Sequence, residues 1–135
     1  MKKTISLFIA LAGMLCPVSG VYAQKATIAC EKSVHNFGTI RESDGKVSHS
    51  FVIKNEGDAP LVLTNVTASC GCTVPEWSKQ PIPAGKTGTV KITYDPAGRP
   101  GTFVKSLSVY SNGMKGIFRL FIRGKVDPKN KKDKE

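Results

Sequence analysis

The sequence is poor in the side chains that most often do chemistry. It has two histidines and ten acidic residues. His35 and His49 stand in no local signature, and no Gly-x-Ser-x-Gly, His-Glu-x-x-His or phosphate-cradling loop occurs. A thiol enzyme needs a His and an Asn or Asp arranged around its nucleophile, and no such arrangement can be read here. Paired carboxylates need only meet in space, but most of the acids sit in turns and the supply is thin. These absences argue for a non-enzymatic protein. Nucleic acid is a poor partner, since no nucleic-acid-binding motif is present. No long amphipathic helix pattern and no internal repeat is found.

What is present at the start reads as a leader. Lys2 and Lys3 precede a mostly apolar run from Ile5 to Val18, and Val21-Tyr22-Ala23 offers a signal peptidase site. Residues 1–23 are therefore expected to be a signal peptide cleaved after Ala23. The apolar run is shorter than the ~20 residues of a spanning helix. A lipid anchor on Cys16 would want a small residue before it, where Leu15 stands. No later stretch is apolar for long enough to span a bilayer, so no transmembrane segment is expected after cleavage. The product is expected to be exported to the periplasm or the exterior. About 112 residues would remain, a single-domain length. The net charge of +10 falls to about +8 when Lys2 and Lys3 leave. The remaining charges are interspersed, which suits a solubilising surface better than a polyanion site.

The body reads as strands. Ala26 to Cys30 alternates, and His35 to Ile40 follows with Gly38 marking a bulge or bend. Val47, His49, Phe51 and Ile53 share one face at period two, so His49 is expected to pack or sit at the rim. Leu61 to Thr67 is rich in β-branched and apolar residues. Val90, Ile92 and Tyr94 share a face, as do Phe103, Leu107 and Val109, and then Phe118, Leu120 and Ile122. Asp44-Gly45, Asn55 to Pro60, Pro81 to Lys86, Asp95 to Gly101 and Asn112-Gly113 supply turn chemistry. About seven strands over about 100 residues predict an all-β, antiparallel β-sandwich, with a barrel as the lesser alternative. Residues 24–126 form the domain, and 127–135 form a lysine-rich, flexible tail.

His35-Asn36-Phe37-Gly38-Thr39-Ile40, the run from Phe51 to Leu61, Ser69-Cys70-Gly71-Cys72-Thr73, Tyr94-Asp95-Pro96 and Gly98-Arg99-Pro100-Gly101 together resemble the DUF1573 family of exported bacterial proteins. Asn55-x-Gly57-x-x-Pro60-Leu61 is also similar to modules of the ASPM, SPD-2 and hydin type, akin to major sperm protein domains. The resemblance covers about residues 28–126. It implies an immunoglobulin-like sandwich and carries no activity with it. An antibody-type domain would place a tryptophan between two cysteines, whereas Trp77 follows both Cys70 and Cys72.

Cys70-Gly71-Cys72 is the stretch most open to chemistry. In a strand the two Cα atoms would lie ~6.6 Å apart, near the ~6.8 Å limit for a disulfide. A bridge between them would need Gly71 to bend the chain. Such a strained bridge would be more reducible than an ordinary one. Cys30 is the alternative partner for either cysteine, closing a loop of about forty residues and contributing ~2–4 kcal/mol. Two thiolates on one face also suit copper or zinc, with His35, His49 and Met114 as the other available donors. Trp77 is expected in a loop, either as a plug over the sandwich end or as an aromatic anchor for a partner. Arg99 either solvates a turn or pairs with an anionic group. The leading expectation is an exported, immunoglobulin-like module that binds a protein or cell-envelope component, through end loops or by strand addition at a sheet edge. The alternative is a periplasmic soft-metal (copper or zinc) or thiol-redox protein using Cys70 and Cys72.

Overall fold

A computed structural model describes residues 24–129. The expected signal peptide, 1–23, lies outside them, as do 130–135. Eight strands form: β1 (Ile28–Ala29), β2 (Val34–Arg41), β3 (Val47–Asn55), β4 (Leu63–Ala68), β5 (Thr73–Trp77), β6 (Thr87–Tyr94), β7 (Gly101–Ser111) and β8 (Phe118–Asp127). One sheet has the order β1-β3-β6-β5 and the other β2-β8-β7-β4. This division is the immunoglobulin arrangement, with the first strand split between the two sheets.

The alternation in the sequence is realised as a core. Phe51, Ile53, Val90, Ile92 and Tyr94 from one sheet meet Val66, Phe103, Leu107, Val109, Leu120, Ile122 and Val126 from the other, all buried. Tyr94 stacks on Phe103 with ring centroids 4.3 Å apart and so ties the two sheets at one end.

Two expectations are corrected. The sandwich is not wholly antiparallel: β2 pairs with β8 in parallel. The chain leaves the first sheet after Ala29, crosses through Cys30–Ser33 without reversing, and joins the far sheet still running the same way. A shift of register between Asn36 and Thr39 bends β2, and Gly38 there takes a φ of 70°, as its glycine suggested. The second correction is β5. Thr73 to Trp77 is a strand paired with β6, so Trp77 is not in the loop expected for it. Pro75 is tolerated because β5 is an edge. Cys72 C=O and Ser78 N–H point to the β6 side, so by alternation the proline nitrogen faces outward, where no donor is needed.

The amino-terminal segment is sewn to the β3–β4 turn. Glu56 N–H donates to Thr27 C=O at 2.9 Å and Asp58 N–H to Lys25 C=O at 3.0 Å. Asn55, fully buried, sits at the centre of this knot. Its Nδ2 donates to Ala59 C=O at 2.7 Å and Ile82 C=O at 2.9 Å, and its Oδ1 accepts from Gly57 N–H at 3.0 Å.

Candidate functional sites

Cys70 and Cys72 are joined to each other in a disulfide, and Cys30 is a free thiol. The cross-sandwich alternative with Cys30 is thereby set aside. The pairing is possible because this stretch is a turn rather than a strand. Thr73 N–H donates to Cys70 C=O at 3.2 Å, and the two Cα atoms approach to 5.2 Å, well inside the disulfide range. Gly71 contributes less than expected. It takes no positive φ, and a Cβ placed on it would meet nothing within 4 Å. The turn carries the chain from β4 in one sheet to β5 in the other. Ser69 N–H to Ser106 C=O (3.0 Å) and Asp95 N–H to Cys72 C=O (2.9 Å) fasten both its ends.

The two cysteines differ in exposure. Cys70 is half-buried, whereas Cys72 is 4% exposed. The Cys72 N–H points at Cys70 Sγ, 3.0 Å away. Beside Cys72 lies a small cavity of about 150 Å³, lined by Lys46, Gly71, Val74, Thr93, Asp95 and Arg99. Arg99 is thus brought to the cysteine turn. Its loop is held by Arg99 N–H to Pro96 C=O at 3.0 Å and by Gly98 N–H to Glu42 Oε1 at 2.8 Å. Lys46 joins it there. It has no signal of its own, and only the fold puts it there.

Trp77 belongs elsewhere. It is the last residue of β5, ~16 Å along the strand from Cys72 at the usual rise. It packs half-buried against the core, with Lys79 Nζ 3.1 Å from the ring centroid. It is neither in a loop nor over the disulfide end. As for metal, the Cys70 and Cys72 sulfurs are bonded to each other and so are not thiolates. No group of three His, Cys, Asp or Glu side chains able to hold an ion forms among the described residues.

A second feature lies at the opposite edge. Because β1 is two residues long, β3 is paired on that side only at Lys54 and Asn55. Asn55 N–H points to β6 and Glu56 N–H to the β1 side. Alternation then turns the amides of Ser48, Ser50 and Val52 toward the side β1 has left. A slot of about 680 Å³ runs along this edge, with Ala29, Cys30, Phe51 and Val52 on its apolar part and Glu31, Lys32, Lys54 and Glu56 at its rim. Burial pushes the Cys30 thiol above its ordinary pKa, offset in part by the Lys32 backbone N–H.

At one end of the slot four rings stack between the sheets. His35 and His49 lie face to face at 3.6 Å, with Phe37 edge-on to His35 and Phe51 edge-on to His49. His49 is therefore packed, as its phase suggested. Burial first and the neighbouring His35 second hold its pKa below the ordinary imidazole value. The folded state thus favours neutral His49 and binds fewer protons than the unfolded chain. The stability this contributes is present above the unfolded pKa of ~6.5 and is lost as pH falls through the folded one. The charged groups that line the same slot as His49 are Glu31, Lys32, Lys54 and Glu56. The melting temperature is expected to fall on acidification from about pH 7.5 to about pH 5. His49→Phe should flatten that slope in thermal melts, and an unchanged slope would refute this role.

The DUF1573 family, described as "Protein of unknown function", matches residues 28–126. The chain belongs to the DUF1573 family. No curated protein matches it. Among solved structures, the DUF1573 chain is similar to a protein of unknown function from Porphyromonas gingivalis W83, with TM-score 0.67 and 18% identity, over 76% of this chain and 48% of that one. It is also similar to the VesB protease of Vibrio cholerae, with TM-score 0.57 and 21% identity, over 76% of this chain and 32% of that one. The secreted serine protease VesC of the same species matches with TM-score 0.53 and 14% identity, over 76% and 23%. The chain spans less than half the length of each of these proteins. At such identities the likeness shows the fold.

Proposed function

We propose that this DUF1573 protein is an exported binding module that takes an extended segment of a cell-envelope protein onto the open edge of β3. The observation that carries the reading is the early departure of β1, which leaves the Ser48, Ser50 and Val52 backbone without a neighbouring strand among the described residues. The other long edges are blunted: β2 by its bulge at Gly38 and β5 by Pro75, both devices that discourage strand addition. β4, the remaining edge, lies close to β5, which follows it through the disulfide turn. An added strand would gain main-chain hydrogen bonds from β3 and set alternate apolar side chains into the slot over Cys30 and Phe51. The mixed charges at the rim suit a polypeptide better than a polyanion. The reading of residues 1–23 as a leader places that partner outside the cytoplasm.

Amide exchange tests this directly. The Ser48, Ser50 and Val52 amides should exchange at least about a hundredfold faster than those of Phe51 and Ile53 in the isolated protein. Equal protection would sink the proposal, because the edge would already be covered. Protection that grows with protein concentration would also overturn it, since a second copy would then be the occupant. Ser50→Pro removes one edge donor while leaving the β6 side intact. Peptides selected from a display library on the wild-type protein should bind this variant at least about tenfold more weakly. Unchanged affinity would count against the edge.

A further inference from the structure

We propose that the Cys70–Cys72 disulfide is a thiol–disulfide exchange centre that oxidises cysteine pairs in exported polypeptides. This activity is separate from strand capture and uses the opposite side of the domain. A staple is a poor account of the bond. It links residues two apart, so it hardly restricts the unfolded chain. The turn it spans is already held by backbone hydrogen bonds at Ser69, Thr73 and Asp95. The two sulfurs, by contrast, are differentiated as an exchange centre needs. Cys70 is half-exposed and flanked by Gly71, above which there is open space. Cys72 is buried, next to the Thr73 hydroxyl at 3.8 Å and the cavity that Lys46 and Arg99 line.

The chemistry follows from that asymmetry. A substrate thiolate attacks Cys70 Sγ, on the more exposed of the two residues, forming a mixed disulfide and breaking the Cys70–Cys72 bond. Cys72 leaves as the thiolate, on the side of the turn where Lys46 and Arg99 line the cavity together with Asp95, two cations against one carboxylate, a balance that favours departure. The second thiolate of the substrate then attacks its own sulfur in the mixed disulfide. Cys70 departs as a thiolate that accepts the Cys72 N–H, now 3.0 Å from its sulfur, a charge-assisted hydrogen bond. Two electrons pass from the substrate dithiol to the Cys-Gly-Cys pair, and the two protons given up by the substrate thiols go to Cys70 and Cys72, or to solvent where a cysteine stays a thiolate. A low-molecular-weight disulfide of the exported compartment, of the glutathione type, returns the pair to the oxidised state. Cys30 takes no part, since it lies on the β3 edge and burial raises its pKa.

The test uses the mature chain in a Cys30→Ser background. The probe is a reduced, unstructured peptide carrying two cysteines, with oxidised glutathione as terminal oxidant. Catalytic amounts of protein should speed peptide oxidation at least about tenfold over the Cys70→Ser/Cys72→Ser variant. No acceleration would overturn the proposal. The single variants test the direction of attack. With a one-cysteine peptide activated as an aryl mixed disulfide, so that no second substrate thiol can resolve the product, Cys72→Ser should accumulate a mixed disulfide with the peptide through Cys70 and release the aryl thiol, whereas Cys70→Ser should form it at least about tenfold more slowly because Cys72 is buried. Equal trapping by both would overturn the assignment of Cys70. Circular dichroism of each variant confirms that the turn survives. If one does not fold, comparing wild-type protein with its reduced and alkylated form decides the same question. Strand capture measured through Ser50→Pro is unaffected by either result.

Discussion

Asn55→Ala is expected to destabilise the domain by about 3 kcal/mol, lowering its melting temperature by about 15 °C. Asn55 is 0% exposed and makes hydrogen bonds with both ends of its amide. Truncation strands the Ala59 carbonyl and leaves the Ile82 carbonyl with only its bond from Leu61 N–H at 2.9 Å. It also frees the Gly57 N–H and the longer contact from Thr27 N–H, at 3.4 Å. Each buried group left without a partner costs about 1–3 kcal/mol, less where water can reach it. Some of these contacts lie near the surface, so the total should fall short of the sum. Asn55→Asp separates the donors from the acceptors. It keeps the oxygen that accepts from Gly57 but turns a carboxylate toward two carbonyl oxygens. That variant should be less stable than Asn55→Ala at about pH 7 and should recover on acidification as the carboxyl takes up a proton and can donate again. Thermal melts of the three proteins at two pH values give the answer. A drop below about 1 kcal/mol for Asn55→Ala would mean that water replaces the amide.

The same knot shows what could be read in the sequence and what could not. The strands were legible because nearly every one is buried on one face only, so that its inward positions alternate. Asn55, Gly57 and Pro60 were legible as turn residues, but the amide's reach to Ile82 was not, because nothing local marks a partner 27 residues away. Asn112 misleads in a similar way. Asn-Gly suggests a tight two-residue turn, yet the β7–β8 loop spends its positive φ at Gly116. The Asn112 side chain instead accepts from Val62 N–H at 2.8 Å and donates to Pro60 C=O at 3.0 Å. β5 escaped notice because Pro75 normally argues against a strand, and only the outward aim of its nitrogen makes the strand possible. At the cysteine turn the residue types were plain, but their pairing depended on a turn the sequence did not announce. Arg99 and Lys46 reach Cys72 through sheet topology alone. Periodicity reports which face a residue shows; it does not report which distant segment meets that face.

Two glycines that look alike in the sequence should respond in opposite ways. Gly71 stands in the conspicuous Cys-Gly-Cys, and Gly57 in an ordinary turn. Gly57→Ala is expected to cost about 3 kcal/mol, whereas Gly71→Ala should change stability by less than about 0.5 kcal/mol. A Cβ on Gly57 would overlap the Lys25 carbonyl oxygen and lie 2.6 Å from Thr27 N and 2.9 Å from the Ala26 carbonyl carbon. All three are backbone atoms, so no side chain can swing away to make room. The amino-terminal segment must move off, taking with it the bonds that Glu56 and Asp58 donate. At Gly71 the space is open and the backbone is one that alanine adopts. Urea midpoints would rank the two variants, and equal midpoints would refute the argument. Amide exchange adds a sharper consequence. If Gly57→Ala lifts the segment that leads into β1, the Glu56 and Asp58 amides should lose protection while Phe51 and Ile53, bonded to β6, keep theirs. The open edge of β3 would then lengthen from Val52 toward Asn55. The glycine of the turn thus sets how much of that edge is offered, and the glycine between the cysteines sets little beyond access to Cys70.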